Sequence, residues 1–267
     1  MTQMHTVGLV RFSVLTTDYY TDSFDTPEAM EAHVFSPERM ELRFRLFEKL
    51  CLQSLARQTD PDFVLIVLTS ARLPEPYRER LEALLAPLPN VVLRTAKVGP
   101  HYRLVNGAYN AVPSGDATHR LAFRLDDDDA VPLDYVARIK RIAESLVSLH
   151  GGTRPTIIAL NRGYYVKKGE KGNQVYDAIE RMPLSVGTAM LHPVDFRENP
   201  YRFNHRNFAQ HYNTYSDITE PGFLRAIHGD NMSVPTSIGV ARRQSQAEVE
   251  AGIARWFGLD RAAIDAL

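Results

Sequence analysis

The spacing of apolar residues changes period several times over the first 150 positions. Residues 7–16 (VGLVRFSVLT) form a short, β-branched, mostly apolar run, the pattern of a buried strand. Ser36-Pro37 reads as an N-cap followed by proline at the first helical position. Met40, Phe44, Phe47, Cys51 and Leu55 then recur at steps of three and four, which predicts one face of a long helix ending near Gln58. Asp60-Pro61 breaks the chain, and 63–68 (FVLIVL) is a second continuous apolar strand. Residues 74–85 predict a helix, 91–95 a third strand, and 102–112 a helix stopped by Pro113-Ser114-Gly115. Residues 119–125 predict a fourth strand, and 133–149 a helix with Val136, Ile139, Ile142, Ala143 and Leu146 on one face. Continuous apolar strands alternating with helices predict an α/β fold, a mainly parallel sheet covered on both faces.

Beyond residue 150 the character changes. Residues 156–160 and 164–166 predict strands, and the Lys/Gly-rich stretch 167–172 a mobile hairpin tip. Residues 192–216 are rich in His, Asn, Tyr and Arg, a composition that lines a surface more often than it fills a core. Residues 246–267 predict two short helices with Trp256 and Phe257 packing inward.

Composition narrows the class. The chain has 267 residues, 44 % hydrophobic and 24 % charged, an ordinary globular balance that excludes disorder and collagen-like repeats. No window reaches the roughly 18 to 20 consecutive apolar residues of a spanning helix. Residues 1–6 lack the basic start and apolar stretch of a secretory signal. The single cysteine, Cys51, allows neither an internal disulfide nor a cysteine-based zinc site. These features predict a cytoplasmic protein. A net charge of -1 argues against a nucleic-acid partner.

Charge is balanced overall but segregated locally. Residues 94–124 carry Arg94, Lys97, Arg103, Arg120 and Arg124 against only Asp116, and Asp126, Asp127, Asp128 and Asp129 follow directly. Four adjacent carboxylates repel one another, so a fold tolerates them only with water or cations alongside. At the C-terminal end of a buried parallel strand they sit where open α/β sheets bind ligands. Hard oxygen ligands there suit Mg²⁺ or Mn²⁺, which suit a diphosphate, and the basic stretch supplies complementary charge. Arg11 lies inside the apolar first strand and must meet a carboxylate or a donor phosphate; we favour the donor. Arg39 and Arg43, four apart on one helix, are expected on a solvated face. Asp127-x-Asp129-x-Val131 also fits the nucleophile motif of haloacid-dehalogenase-type phosphatases, although three strands precede it here.

Arg11-Phe12-Ser13, the helix 43–59 (RFRLFEKLCLQSLARQT), 124–130 (RLDDDDA) and 227–231 (IHGDN), in this order and spacing, resemble the putative rhamnosyltransferase family of GT-A-fold glycosyltransferases over residues 7–235. The resemblance implies a GT-A-like fold, with a smaller mixed β/loop half on the acceptor side. It implies one domain over 1–267: a nucleotide-sugar-binding half at 7–150, an acceptor-side half at 151–240 and C-terminal helices at 241–267. Asp126 and Asp128 match the Asp-x-Asp pair that holds a divalent metal (Mn²⁺ or Mg²⁺), and His228 matches a late histidine on that metal or the leaving phosphate. Arg11, Asn106, Arg124 and Asp126 are the implied donor-binding residues, although the Arg-Asn pair of related transferases is split here into Arg103 and Asn106. The Glu-Asp pair that often supplies the catalytic base is missing. Asp195, Glu198, His205, His211, Asp217 and Glu220 have suitable chemistry, and Asp195 and His211 are the candidates chosen. Residues 186–189 are either a point where the Gly187 backbone approaches the acceptor or donor sugar, or an ordinary strand. The implied function is a metal-dependent, inverting transfer of a sugar, rhamnosyl among the options, from a nucleotide-diphosphate donor to a glycan or lipid-linked acceptor. Membrane contact is at most peripheral, at the inner face. The alternative is a non-catalytic nucleotide-sugar-binding module of the same fold.

Overall fold

The computed structural model describes residues 3–18, 23–169, 172–231, 241 and 243–267. Its centre is strand β1 (Met4–Phe12), where Val7, Leu9, Val10 and Phe12 are fully buried because both edges and both faces are covered. Strands β2 (Val64–Ser70), β3 (Val91–Ala96) and β4 (His119–Asp126) run parallel to it, β2 on one side and β4 on the other. Alternation of side chains along β1 divides the packing. Val10 and Phe12 face α2 (Pro37–Leu46), α3 (Leu52–Ala56), α4 (Glu75–Leu85) and α6 (Tyr135–His150), while Val7 and Leu9 face α5 (His101–Asn110). The ring of Phe12 lies 4.8 Å from that of Phe44 and 5.1 Å from that of Phe47.

The long helix predicted from apolar spacing is continuous, but Phe47–Cys51 winds as a π-helical turn between α2 and α3. A helix that the spacing did not predict, α1 (Pro27–Val34), precedes it, with the Thr26 hydroxyl accepting from the Ala29 amide at 3.1 Å.

Seven more strands extend the sheet or build a second one. The seven-stranded sheet has the order β10-β6-β9-β4-β1-β2-β3, with β6 (Thr156–Leu160), β9 (Ala189–Pro193) and β10 (Asn213–Asp217). Only β9 runs against its neighbours β4 and β6. A four-stranded sheet, β5-β11-β7-β8, contains β5 (Asp129–Ala130), β11 (Phe223–Ile227), β7 (Arg162–Lys167) and β8 (Gln174–Ile179). The expected hairpin is thus β7 and β8, antiparallel; Glu170 and Lys171 at its tip lie outside the described residues. A mainly parallel sheet flanked by helices, with a smaller mixed sheet beside it, is the plan the GT-A resemblance implied.

The two C-terminal helices are α7 (Gln246–Phe257) and α8 (Arg261–Asp265). Val249, Ile253, Phe257 and Ile264 pack on Tyr164, Val166, Leu224 and Ala226 of the small sheet. Phe257 points inward as expected; Trp256 is only half-buried, flanked by the guanidinium groups of Arg138 at 5.1 Å and Arg255 at 5.0 Å. Among the described residues no helix is long and apolar enough to cross a membrane.

The acidic run is the joint between the sheets. Asp126 ends β4 in the large sheet, and Asp129 begins β5 in the small one, opposite Arg225. Close packing of β1 on β4 holds the large-sheet side of that joint. A Cβ at Gly8 would lie 2.1 Å from Cζ of Phe123, so only glycine fits. Gly8→Ala is therefore expected to destabilise by about 1–3 kcal/mol in urea unfolding. Gly8→Ala combined with Phe123→Leu should cost less than the sum of the two single changes.

Candidate active site

Parallel pairing of β1 with β4 sets Arg11 directly opposite Asp126, and the two side chains form an ion pair. A second Arg11 nitrogen lies 2.9 Å from Nε2 of His101. A guanidinium can only donate, so Nε2 accepts and the imidazole is neutral. Burial, then Arg11 and Arg124, push the His101 pKa down to about 3, which agrees with that geometry. Asp18 fixes the start of α5 by accepting from the His101 amide at 2.7 Å.

Arg124 lies two residues before Asp126, on the same face of β4. Its guanidinium sits 4.1 Å from the centre of the Tyr201 ring and donates to the Pro200 carbonyl at 3.3 Å. The Tyr201 hydroxyl donates in turn to the Leu9 carbonyl at 3.2 Å. These contacts tie the 199–205 loop to the centre of the sheet.

The other face of the joint is held by helix α2. Arg43 clamps both carboxylate oxygens of Asp127 and donates to Asp128 at 2.9 Å. One turn earlier, Arg39 pairs with Asp230 at 2.9 Å and donates to Ser13 Oγ at 3.2 Å and to the Val34 carbonyl at 2.9 Å. Both arginines are buried. His228 Nε2 is 2.9 Å from Asp128, and Asn231 Nδ2 donates to the same oxygen at 3.1 Å. The Asp230 amide donates to His228 Nδ1 at 3.2 Å, so Nε2 carries the ring hydrogen. Asp129 accepts from the Ala226 amide at 3.2 Å, across from Arg225.

Three of the four aspartates thereby acquire different electrostatics. Burial opposes ionisation of Asp126, yet Arg11 and Arg124 outweigh it and hold the carboxyl far below its usual range. Burial likewise opposes ionisation of Asp128, and Arg43 with His228 brings it down to about 2. Asp129 goes the other way: burial and the neighbouring Asp128 push it well above the usual range despite Arg225.

These groups surround a cleft of about 610 Å³, whose lining also includes Ser13, Thr16 and residues 201–205. Of the residues expected at the site, Arg11, Arg124, Asp126 and Asp128 line it, and His228 backs Asp128. Asn106 does not line it. It accepts from Asn199 Nδ2 at 3.0 Å, and Asn199 Oδ1 accepts from the Tyr201 amide at 3.0 Å, so Asn106 acts through the loop.

Several expectations need correction. Asp195 is exposed beyond the end of β9, whose Pro193 pairs with His119 at the opposite end of β4. Seven residues of strand, about 23 Å, separate His119 from Asp126, which removes Asp195 from the cleft. His211 is exposed and stacks on Phe203 with ring centres 3.7 Å apart, outside the lining; His205 lines the cleft instead. Of the basic stretch only Arg124 faces the cleft. Arg94, Lys97 and Arg103 are exposed, and Arg120 is tied to the Tyr109 and Val112 carbonyls. Arg39 and Arg43, expected on a solvated face, supply the missing charge from inside. Their signal was legible: both abut Met40 and Phe44, the apolar face of the helix. Asp127 has both oxygens clamped by Arg43, so the phosphatase-type nucleophile is excluded.

A family model described as "Putative rhamnosyl transferase" matches residues 5–240. No curated protein matches the chain. Among solved structures, S. aureus TarS 1-349 is similar at 11 % identity and a TM-score of 0.43, with 84 % of this chain and 60 % of that chain covered. The same TarS segment in complex with UDP gives 10 % identity, a TM-score of 0.42 and coverage of 84 % and 61 %. Mouse xyloside xylosyltransferase 1, apo form, gives 13 % identity, a TM-score of 0.29 and coverage of 60 % and 54 %. The chain thus spans about three fifths of the length of the TarS segment it matches.

Removing one member of the buried ion pairs leaves charge without a partner. Arg43→Met is expected to cost about 3–5 kcal/mol in urea unfolding, because Asp127 and Asp128 stay buried. Adding Asp127→Asn to Arg43→Met should restore part of that loss, a coupling read from the double-mutant cycle.

Proposed function

The chain belongs to the rhamnosyl transferase family whose model it matches over residues 5–240, and on that premise we propose that its cleft binds a nucleoside-diphosphate sugar and transfers the sugar to a glycan or lipid-linked acceptor. The observation that carries this reading is the acidic joint itself. It sits beyond the C-terminal ends of β1 and β4, where parallel sheets bind ligands, with arginines converging on it from a strand and from a helix.

A divalent cation fits one part of that arrangement. Asp128 Oδ2 and His228 Nε2 are 2.9 Å apart. Two adjacent ligand atoms of an octahedral cation, each about 2.1 Å from it, stand about 3 Å apart. Among the described residues no three His, Cys, Asp or Glu side chains form a cage. Mg²⁺-type sites commonly use one or two protein ligands and take the rest from substrate phosphates and water. Asp128 and His228 would hold the ion, and Asp126 stays with Arg11. Bound there, the ion would neutralise charge developing on the leaving diphosphate. Taking Nε2 requires the ring hydrogen to move to Nδ1, which breaks the bond from the Asp230 amide and couples metal uptake to the 228–231 turn.

The protein's own cations do the rest of the electrostatic work. Among the described residues Arg124 forms no ion pair, and its guanidinium lines the cleft, where it can meet an anionic ligand group. An inverting transfer then needs only a group to take the acceptor's proton.

Calorimetric titration with UDP, GDP and dTDP, with and without Mn²⁺, tests the reading. One nucleotide is expected to bind about tenfold more tightly (about 1.4 kcal/mol) with Mn²⁺. Asp128→Asn should abolish that gain while circular dichroism stays unchanged. Indifference to every nucleotide, with or without metal, would overturn the proposal. Binding without any turnover of the sugar donor would favour the non-catalytic module instead.

A further inference from the structure

The transfer lacks a base in the two positions where the sequence placed one, and the cleft itself supplies a replacement. Among the described residues, each carboxylate that lines it is already engaged. Asp126 is paired with Arg11, Asp127 with Arg43, and Asp128 with Arg43 and His228. Asp129 accepts from the Ala226 amide, Asp230 is paired with Arg39, and Asp18 caps α5. Of the two histidines in the lining, His101 spends Nε2 on Arg11. His205 differs from all of these: its ring has no hydrogen bond, ion pair or ring contact with any described residue, and it is half-buried in the cleft wall.

The backbone under His205 is well anchored. It opens a short 3₁₀ helix, His205–Gln210, capped by the Asn204 side chain, which accepts from the Arg206 amide at 3.0 Å. Phe208, fully buried, pins that helix to the sheet, and Tyr201 fixes the preceding loop through Arg124 and the Leu9 carbonyl. An uncommitted imidazole on a rigid support suits proton transfer better than a side chain on a free loop.

Resting on the transferase reading above, we propose that His205 is the general base that takes the proton of the acceptor hydroxyl. The acceptor oxygen bonds to the anomeric carbon while the bond from that carbon to the diphosphate oxygen breaks. The electron pair leaves on the diphosphate, and the hydroxyl proton moves to an imidazole nitrogen of His205 and then to solvent. The ring is in the right state to begin. Burial, then Arg124, push its pKa down to about 3, with Arg225 and Arg206 acting the same way and Asp126 opposing. His205 is thus unprotonated at neutral pH. An anionic donor beside Arg124 offsets that cation and makes the imidazole a stronger base as the site fills.

The test uses the full chain with UDP-glucose, GDP-mannose and dTDP-rhamnose as donors and water as the acceptor. Calorimetry with UDP, GDP and dTDP runs in parallel. His205→Gln is expected to bind the same nucleotide within about threefold and to hydrolyse its sugar donor about 100-fold more slowly, the size of a lost general base. His205→Ala should be equally slow, and added imidazole should restore part of its rate. Hydrolysis by His205→Gln within about threefold of the unaltered chain would overturn the assignment. So would loss of nucleotide binding in both variants, which would make His205 a binding residue, or failure of imidazole to restore any rate. If the unaltered chain binds a nucleotide but hydrolyses no donor, the base fails and the donor site stands. If it binds no nucleotide, the transferase reading falls and the base with it.

Discussion

Everything around the cleft depends on neutralising buried carboxylates without help from bulk water. Two sheets meet at Asp126–Asp129, so the run cannot move out to solvent without separating them. The fold answers with guanidinium groups delivered by rigid elements. Arg11 comes across the strand pair, Arg43 comes from the helix on one face, and Arg225 sits opposite Asp129 on the small sheet. Each ion is costly to bury alone and tolerable only in company. The helix therefore has to start at Pro37, and β1 and β4 have to pair in this register, for the joint to exist at all.

That requirement explains why parts of the molecule were legible in sequence and others were not. The first four strands and their helices showed through because each is a continuous apolar or amphipathic run whose partner is a neighbour in the α/β alternation. The acidic run was legible as a strand end because an apolar strand leads into it. Strands β8 to β11 were missed or seen only in part. They are five or six residues long and divided between two different sheets, so no long run with a single period marks them.

The expected site residues come together where strands carry them and fall apart where the chain has to cross space. Arg11, Arg124, Asp126, Asp128 and His228 meet as a group because strand ends bring them together. Asp195 and His211 were chosen for their chemistry, and topology put both elsewhere: the antiparallel β9 carries the chain to the far end of the sheet before Asp195 is reached. The compensating charge was sought in the nearest basic stretch of sequence. It came instead from a helix more than eighty residues away, because a buried ion pair is chosen by proximity in the fold.

The mutual dependence of Arg43 with Asp127 and Asp128 also bears on how such a motif changes over time. Loss of the arginine first strands two negative charges, and loss of an aspartate first unsettles a positive one. Either path crosses an intermediate weakened by several kcal/mol out of a total that is typically about 5–15 kcal/mol. A lineage that no longer used the cleft would still be held to these residues by stability alone. Persistence of an acidic run at this strand end therefore records the architecture of the joint, and the state of the chemistry has to be read from side chains that the joint does not need.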